Sequence, residues 1–483
     1  MDYTPIEEIP RIRDTLRATF ATGVTKPLAW RRHQLFQLAR MMQENAEALA
    51  DAINADLGRP RMEAYMAEVC VILERSMICA EKLEEWTKPE VLTDIPDWQK
   101  PWHPAVYKMP KGTVLIISPW NYPLILSLQP LYGAISAGCC AVIKTSEYAP
   151  NYANLLSQLL PQYLDPSAYH VVKGEVAEVT RLLELQWDHI FYTGNGKIAR
   201  VISAAAAKHL TPVTLELGGK SPVIIDGTFD MRLAAKRILW AKANNSGQMC
   251  VIPDYILVLR EKQDELIEAF KEHYATFWPD GPLNSKSYSR IVNELHFKRV
   301  SDLLARTKGE IVLGGKSTSS FSFETTIVKN VADGDSLLEQ EIFGPLLPII
   351  PVDSVQDAID FIGARNHPLV LYAFTEDSET KRKVIENTTS GNLAFNDCVQ
   401  QLTVNELPFG GVGESGYGRQ VLKYSYELFT YIRATVDIPK SAEHTLEVRY
   451  APYSKEQLDF FAAPLNMVIP KSTPTGLVMN GIH

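Results

Sequence analysis

Two side chains in this sequence could make and break a bond to carbon. Cys250 closes the run Asn244-Asn245-Ser246-Gly247-Gln248-Met249-Cys250, and Glu216 opens Glu216-Leu217-Gly218-Gly219-Lys220-Ser221-Pro222, 34 residues earlier. A thiolate is a nucleophile, and a carboxylate shielded from water can act as a base. The small residues around both allow close approach to a ligand. Most free cysteines are packed into cores as small apolar side chains, so the assignment needs support from the rest of the chain.

Other residues could serve such a pair. Asn121 lies in the stiff run Pro119-Trp120-Asn121-Tyr122-Pro123, after the apolar stretch Thr113–Ser118. Its plainest use is as a turn residue, but its amide is also a donor. Lys144 and Glu147 stand at i and i+3, just past the apolar run Ala141–Lys144, and ligands bind at the carboxyl ends of parallel strands. Thr193 precedes Gly194-Asn195-Gly196-Lys197-Ile198-Ala199, which fits G-x-G-x-x-[GA] between a strand and a helix. That context suits a pyrophosphate at a helix N-terminus. Read alone, it would make Glu216 the ribose-binding acid, but the fingerprint belongs to the first βα turn and three strands precede this one. Gly218-Gly219-Lys220-Ser221 fails as a P-loop because Thr214 occupies the position of its first glycine. Glu341 and Phe343 fall in a loop closed by Gly344-Pro345.

The elements that must position these residues follow from periodicity. Leu35, Leu38, Ala39, Met42, Ala46, Leu49 and Ile53 follow helical spacing within Trp30–Leu57, and Met62–Trp86 reads as a second long helix. Short apolar runs then alternate with helical patterns. Thr113–Ser118, Ala141–Lys144, Tyr169–Lys173 and His189–Thr193 form one block. After Val213 come Pro222–Asp226, Ile256–Leu259, Leu346–Pro351, Val370–Thr375 and Gly391–Asn396. This βαβ spacing predicts an α/β protein with two doubly wound α/β domains. Pro89 to Pro110 breaks the alternation with five prolines and with Trp98 and Trp102.

Composition narrows the function classes. The chain has 483 residues, 46% hydrophobic and 22% charged, with a formal net charge of −9. This suits a globular protein with a large core and gives no basic stripe for nucleic acid. The cysteines (70, 79, 139, 140, 250, 398) lack metal-site spacing and suggest no disulfide framework. The expectation is therefore no metal and a reducing, cytoplasmic setting. The acidic start has no apolar h-region of a signal peptide. Gly112–Ile143 carries no charge, but its prolines and glycines fit buried strand, loop and helix better than a membrane span, so no transmembrane anchor is expected.

Taken in order, Pro119–Pro123, Lys144-Thr145-Ser146-Glu147, Glu216–Pro222, Ser246–Cys250, Glu341–Pro345 and Leu407-Pro408-Phe409-Gly410-Gly411-Val412-Gly413 resemble the motifs of the NAD(P)-dependent aldehyde dehydrogenase superfamily. The resemblance spans roughly residues 10–432. It is strongest with the class 3 (fatty and aromatic aldehyde) branch, through the lengths between motifs, the position of the chain start and the run Ala205–Thr214.

The resemblance implies Cys250 as nucleophile, Glu216 as deacylating base and Asn121 as oxyanion donor. It gives Lys144 and Glu147 to the adenosine ribose, Thr193, Gly194 and Asn195 to the cofactor loop, and Glu341 and Phe343 to the nicotinamide end. The cofactor expected is NAD, with NADP possible, and the partners are an aldehyde substrate and a second copy of the chain in a homodimer. Residues 1–88 and 110–212 would bind NAD(P), 213–395 would carry catalysis, and 89–109 with 396–432 would form a small β bridging element. Residues 433–483 would be a tail whose aromatics dock on the body of the enzyme. The expected substrates are medium- or long-chain aliphatic, aromatic or polyene aldehydes. Two alternatives stay open: a CoA-acylating aldehyde dehydrogenase, and a catalytically silent binding protein on the same fold. In the family's cofactor loop Asn195 and Ala199 are departures, and Gly418-Arg419-Gln420-Val421-Leu422-Lys423 stands where the branch carries a His-Gly pair.

Overall fold

Strands form where the apolar runs were read, and helices fill the intervals between them. The computed structural model describes residues 2–470, 472–473 and 476–477. The first sheet contains β1 (Thr113–Ile117), β2 (Cys140–Lys144), β3 (Tyr169–Val172), β4 (His189–Thr193) and β5 (Val213–Glu216). The second contains β6 (Pro222–Ile225), β7 (Tyr255–Leu259), β8 (Glu310–Leu313), β9 (Thr326–Lys329), β10 (Leu346–Val352), β11 (Val370–Phe374) and β12 (Asn392–Phe395). A short strand, β13 (Gly416–Tyr417), returns to the edge of the first sheet.

The first sheet runs β13-β5-β4-β1-β2-β3 and is parallel except for the β13–β5 edge. Successive strands β1, β2 and β3 step to one side, and β4 crosses to the other side of β1. The crevice at the carboxyl ends of β1 and β4 is therefore a topological switch point, where such sheets bind ligands. The second sheet runs β8-β9-β10-β7-β6-β11-β12, with an antiparallel β8–β9 edge. The strands β8 and β9 leave little mark in the sequence, because β8 is partly exposed at Ile311 and both are runs of only four residues, too short for a clear strand signal. Each sheet has its own apolar core: one built from Ile116, Leu128, Val142 and Phe191, the other from Ile225, Ile256, Phe270 and Tyr372.

The helical arm departs from the expectation in two places. Trp30–Leu57 is two helices, Leu28–Glu44 and Ala46–Leu57. Between them Asn45 leaves the helical region and its side-chain N–H donates to the Met41 carbonyl at 3.0 Å, satisfying the end of the first helix. Met62–Trp86 is also not regular: Arg61–Ala64 and Cys70–Thr87 meet through a π turn, Tyr65–Val69. That turn carries Glu68, which is fully buried, and π turns often mark functional positions.

Contacts divide the chain into two units, Met1–Lys88 with Lys108–Tyr431, and Pro89–Tyr107 with Ile432–His483. Within the second, Glu90–Val91 pairs antiparallel with the start of Ala105–Pro110, and Trp98 and Trp102 pack edge to face, 5.0 Å apart, in the connection between them. In the tail, Tyr453, Phe460 and Phe461 are exposed. Residues 471, 474–475 and 478–483 of this stretch lie outside the described residues.

Candidate active site

The site is assembled from two sorts of strand end. Asn121 follows the carboxyl end of β1, and Thr193 and Glu216 are the last residues of β4 and β5. Cys250 and Glu341 sit on loops that enter β7 and β10 of the other sheet. Glu216 is clamped by its backbone: its carbonyl accepts from Gly194 N at 3.0 Å, and Gly416 lies opposite it on β13. The base candidate is thereby joined to the Thr193–Asn195 loop.

The Cys250 loop is shaped by three successive residues with left-handed backbone, Asn245 (φ 48°), Ser246 (φ 54°) and Gly247 (φ 73°). At Gly247 a Cβ would lie 2.2 Å from the Gly344 carbonyl, so only glycine lets the two loops close on each other. Asn245 Nδ2 donates to the Asn121 carbonyl and to the Gln248 carbonyl, both at 2.9 Å, and Asn121 Nδ2 donates to the Gln248 carbonyl at 3.2 Å. The Asn121 amide is thus directed into the loop that carries the thiol.

A buried ion pair, invisible in the sequence, supports the Asn121 loop. Arg59 and Glu68 are fully buried against each other, and Arg59 also donates to the Asn121 carbonyl and lies 4.0 Å from the centre of the Tyr122 ring. The Glu68 carboxylate accepts from Leu124 N at 2.9 Å and Ile125 N at 3.1 Å, capping the helix Pro123–Ala137 that starts beside Asn121. Removing one partner of such a pair costs about 3–5 kcal/mol. No periodicity links residues nine apart, which is why the pair could not be read from the chain.

Burial and like charge govern the acids. Burial pushes the Cys250 thiol up to about 12, and the nearby Glu341 and Glu216 carboxylates act in the same direction. Burial also raises the Glu216 carboxyl well above the usual range, against the opposing influence of Arg419 and Gln420. Neither Glu216 oxygen has a hydrogen-bond partner, although the side chain is only 2% exposed; the Gln420 amide faces it without completing a bond. Glu341 is pushed up to about 8 by burial and by Asp254. Its carboxylate lies over Gly218, where a Cβ would approach it to 2.5 Å. Glu341 and Glu216 both lie near Cys250, and each negative charge disfavours ionisation of the thiol.

The residues expected to hold a dinucleotide occupy the same side of the first sheet. Lys144 Nζ donates to the Glu147 carboxylate at 3.0 Å, with Lys144 buried rather than on a solvated turn. Thr193 Oγ1 is buried without a partner. Asn195 caps the helix Gly196–Ala207, its side chain accepting from Ile198 N at 3.0 Å, so this departure from the family loop is used as an N-cap. Tyr148, His296, Trp120 and Phe343 form a row of rings with centres 6.1, 5.0 and 5.5 Å apart. The row runs from beside Glu147 to Phe343. Arg299 holds the far end, donating to the Phe343 carbonyl at 3.2 Å. An orphaned hydroxyl, a part-buried ion pair and flat apolar surfaces could hold a nicotinamide dinucleotide. No contact joins Lys144 and Glu147 directly to Cys250. Among the described residues no cluster of ligands could hold a metal ion.

Known proteins resemble this chain over most of its length. The profile of the aldehyde dehydrogenase family matches residues 6–435. The "dimeric NADP-preferring" aldehyde dehydrogenase of Canis lupus familiaris is 41% identical over 448 residues, covering 92% of this chain and 98% of that one. Aldehyde dehydrogenase family 3 member A2 of Rattus norvegicus is 42% identical over 451 residues, covering 92% of each chain. Among solved structures, the substrate-bound AldH of Staphylococcus aureus superposes with a TM-score of 0.91 at 37% identity, over 96% of this chain and 100% of that one.

Proposed function

The chain belongs to the aldehyde dehydrogenase family, in its class 3 branch, and oxidises an aldehyde to the carboxylate with NAD(P)+; from that premise we propose that Cys250 is the nucleophile, Asn121 the oxyanion donor and Glu216 the base. The Cys250 thiol gives its proton to solvent as Sγ bonds to the carbonyl carbon, and the electron pair of the C=O π bond moves to the oxygen, leaving an oxyanion facing Asn121 Nδ2 and the Cys250 backbone N–H. The bound nicotinamide cofactor supplies the acceptor for the hydride that leaves this carbon. A thioester remains on Cys250. Glu216 then takes a proton from a water molecule as the oxygen of that water attacks the thioester carbon; the C–S bond breaks, the thiolate takes the proton of the new carboxylic acid, the carboxylate departs and Glu216 returns its proton to solvent. Lys144, Glu147, Thr193, Gly194, Asn195, Glu341 and Phe343 hold the cofactor. The Glu147 carboxylate disfavours a 2′-phosphate by repulsion and so inclines the site toward NAD.

The observation that carries this reading is the unpartnered, buried Glu216 carboxylate in the field of Cys250. A CoA-acylating enzyme passes the acyl group to a thiol and needs no such base. Cys250 packs with Met249, Val399 and Leu402 against the apolar core of the second sheet, which favours apolar aldehydes of medium or long chain, aromatic or polyene. With a panel of such aldehydes and CoA added, free carboxylate is the expected product, with the highest kcat/KM for the larger apolar members. Formation of acyl-CoA at a comparable rate would overturn the reading.

The same proposal covers domain use and assembly. The first sheet with residues 1–88 and 110–212 serves the cofactor, residues 213–395 serve catalysis with Glu216 reaching across from β5, and 89–109 with 396–432 form the bridging element of a homodimer. Ile432, Val436 and Ile438 are exposed, as are Phe460 and Phe461 of the tail, a surface too apolar to be left in water. Light scattering is expected to give twice 54.1 kDa, and truncation after Pro439 to lower thermal stability. A fully active monomer at micromolar concentration would refute the dimer. The six cysteines are all free, which supports a reducing, cytoplasmic setting. Among the described residues no helix is long and apolar enough to cross a membrane.

A further inference from the structure

Behind Gln420 runs a chain of buried polar side chains that the reaction steps above do not use. Gln129 Nε2 donates to Gln420 Oε1 at 2.9 Å, and Arg75 Nη1 donates to Gln129 Oε1 at 2.6 Å. All three residues are buried. Chemistry fixes the order of donors and acceptors. A guanidinium only donates, so Gln129 turns its carbonyl to Arg75 and its NH2 to Gln420. Gln420 in turn gives its carbonyl to Gln129. What Gln420 has left to present to Glu216 is an NH2 group. In a dry interior each bond of such a chain polarises the next. Arg75 is itself held by the Leu402 carbonyl at 2.7 Å and Asn405 Oδ1 at 3.0 Å.

The backbone on either side of Gln420 is equally constrained. Before it, β13 pairs with the end of β5, and at Gly418 a Cβ would fall 2.5 Å from Thr214. After it, Val421 (φ 87°) and Leu422 (φ 47°) occupy the left-handed region, which β-branched and bulky residues rarely adopt. Their N–H groups are taken up there by Ser425 Oγ at 2.9 Å and Tyr132 Oη at 3.3 Å. Gln420 therefore sits between a strand pressed onto β5 and a strained elbow, and its side chain is aimed by the fold.

We propose that Gln420, backed by Gln129 and Arg75, is a positioning residue for deacylation that aims an N–H at the Glu216 carboxylate and holds it toward the thioester on Cys250. The proposal rests on the reading of Glu216 as the base. A donor of this kind favours a carboxylate over a carboxylic acid, and so counters the burial that raises Glu216. The charged and titratable groups facing Glu216 are Arg419, which acts in the same sense as Gln420, and Cys250.

The test compares Gln420→Met and Gln129→Met with the parent enzyme by rapid mixing and by steady-state turnover across pH. Both variants are expected to keep a NAD(P)H burst close to one per site. In Q420M the pH limb of steady-state turnover should move upward by roughly one unit, the size of one polar contact that favours the charged form, with up to about a tenfold loss near neutral pH. Q129M should move it in the same direction by less, and it carries the test if Q420M does not fold. In a Glu216→Gln background, Gln420→Met should cost nothing further. A pH profile superposable on that of the parent enzyme, or an equal loss in the Glu216→Gln background, would overturn the proposal. Failure of the base assignment looks different: Glu216→Gln alone would then turn over at the parent rate.

Discussion

Cys250→Ala is expected to abolish aldehyde oxidation, with a loss of about 10⁴-fold or more, as removal of an enzymic nucleophile produces. Without the thiol no covalent adduct forms, and no thioester can follow. Cofactor affinity should survive, because Lys144, Glu147 and Thr193 belong to strand ends of the first sheet and none contacts Cys250. The fold should survive as well, because alanine loses only one sulfur from a half-buried position. NAD(P)H production followed by absorbance, with cofactor binding followed by calorimetry, checks both halves. Activity retained to within about tenfold would remove Cys250 from the nucleophile's role, since that loss is far too small.

Glu216→Gln should separate the two halves of the reaction. Acylation does not use the base, so a burst of NAD(P)H close to the enzyme concentration is expected. Turnover should then fall by about 10²–10⁴-fold, the usual contribution of a general base. Glutamine matches the volume of glutamate, and neither carboxylate oxygen has a hydrogen-bond partner to lose, so stability should change little. The sign of the pH dependence follows from the direction of the shift. Burial raises Glu216 and only the ionised form accepts a proton, so steady-state turnover of the parent enzyme should rise as pH climbs through that raised value. In Glu216→Gln this limb should vanish. Equal losses in burst and steady state would instead make Glu216 an activator of Cys250 or a cofactor ligand.

The chain on its own determined a good deal of this. Strands such as His189–Thr193 are buried along their whole length, so they appear as unbroken apolar runs, and their spacing fixed the α/β class. Glycine-rich loops stand out because a close approach, such as Gly247 against the Gly344 carbonyl, tolerates no other residue. The loops bearing Glu216, Cys250 and Glu341 are legible for that reason, the Asn121 loop through its two prolines, and all four through their order along the chain. What only the tertiary structure decided are contacts between residues far apart in sequence. Arg59 with Glu68, Arg75 with Gln129 and Gln420, and the row from Tyr148 through His296 and Trp120 to Phe343 leave no periodic trace, because each partner satisfies a neighbour in space. The ionisation of Cys250, Glu216 and Glu341 belongs to the same class. Their residue types say that they can titrate. The desolvation that raises all three exists only once the two sheets have closed around them, since charge is costly only where water has been excluded.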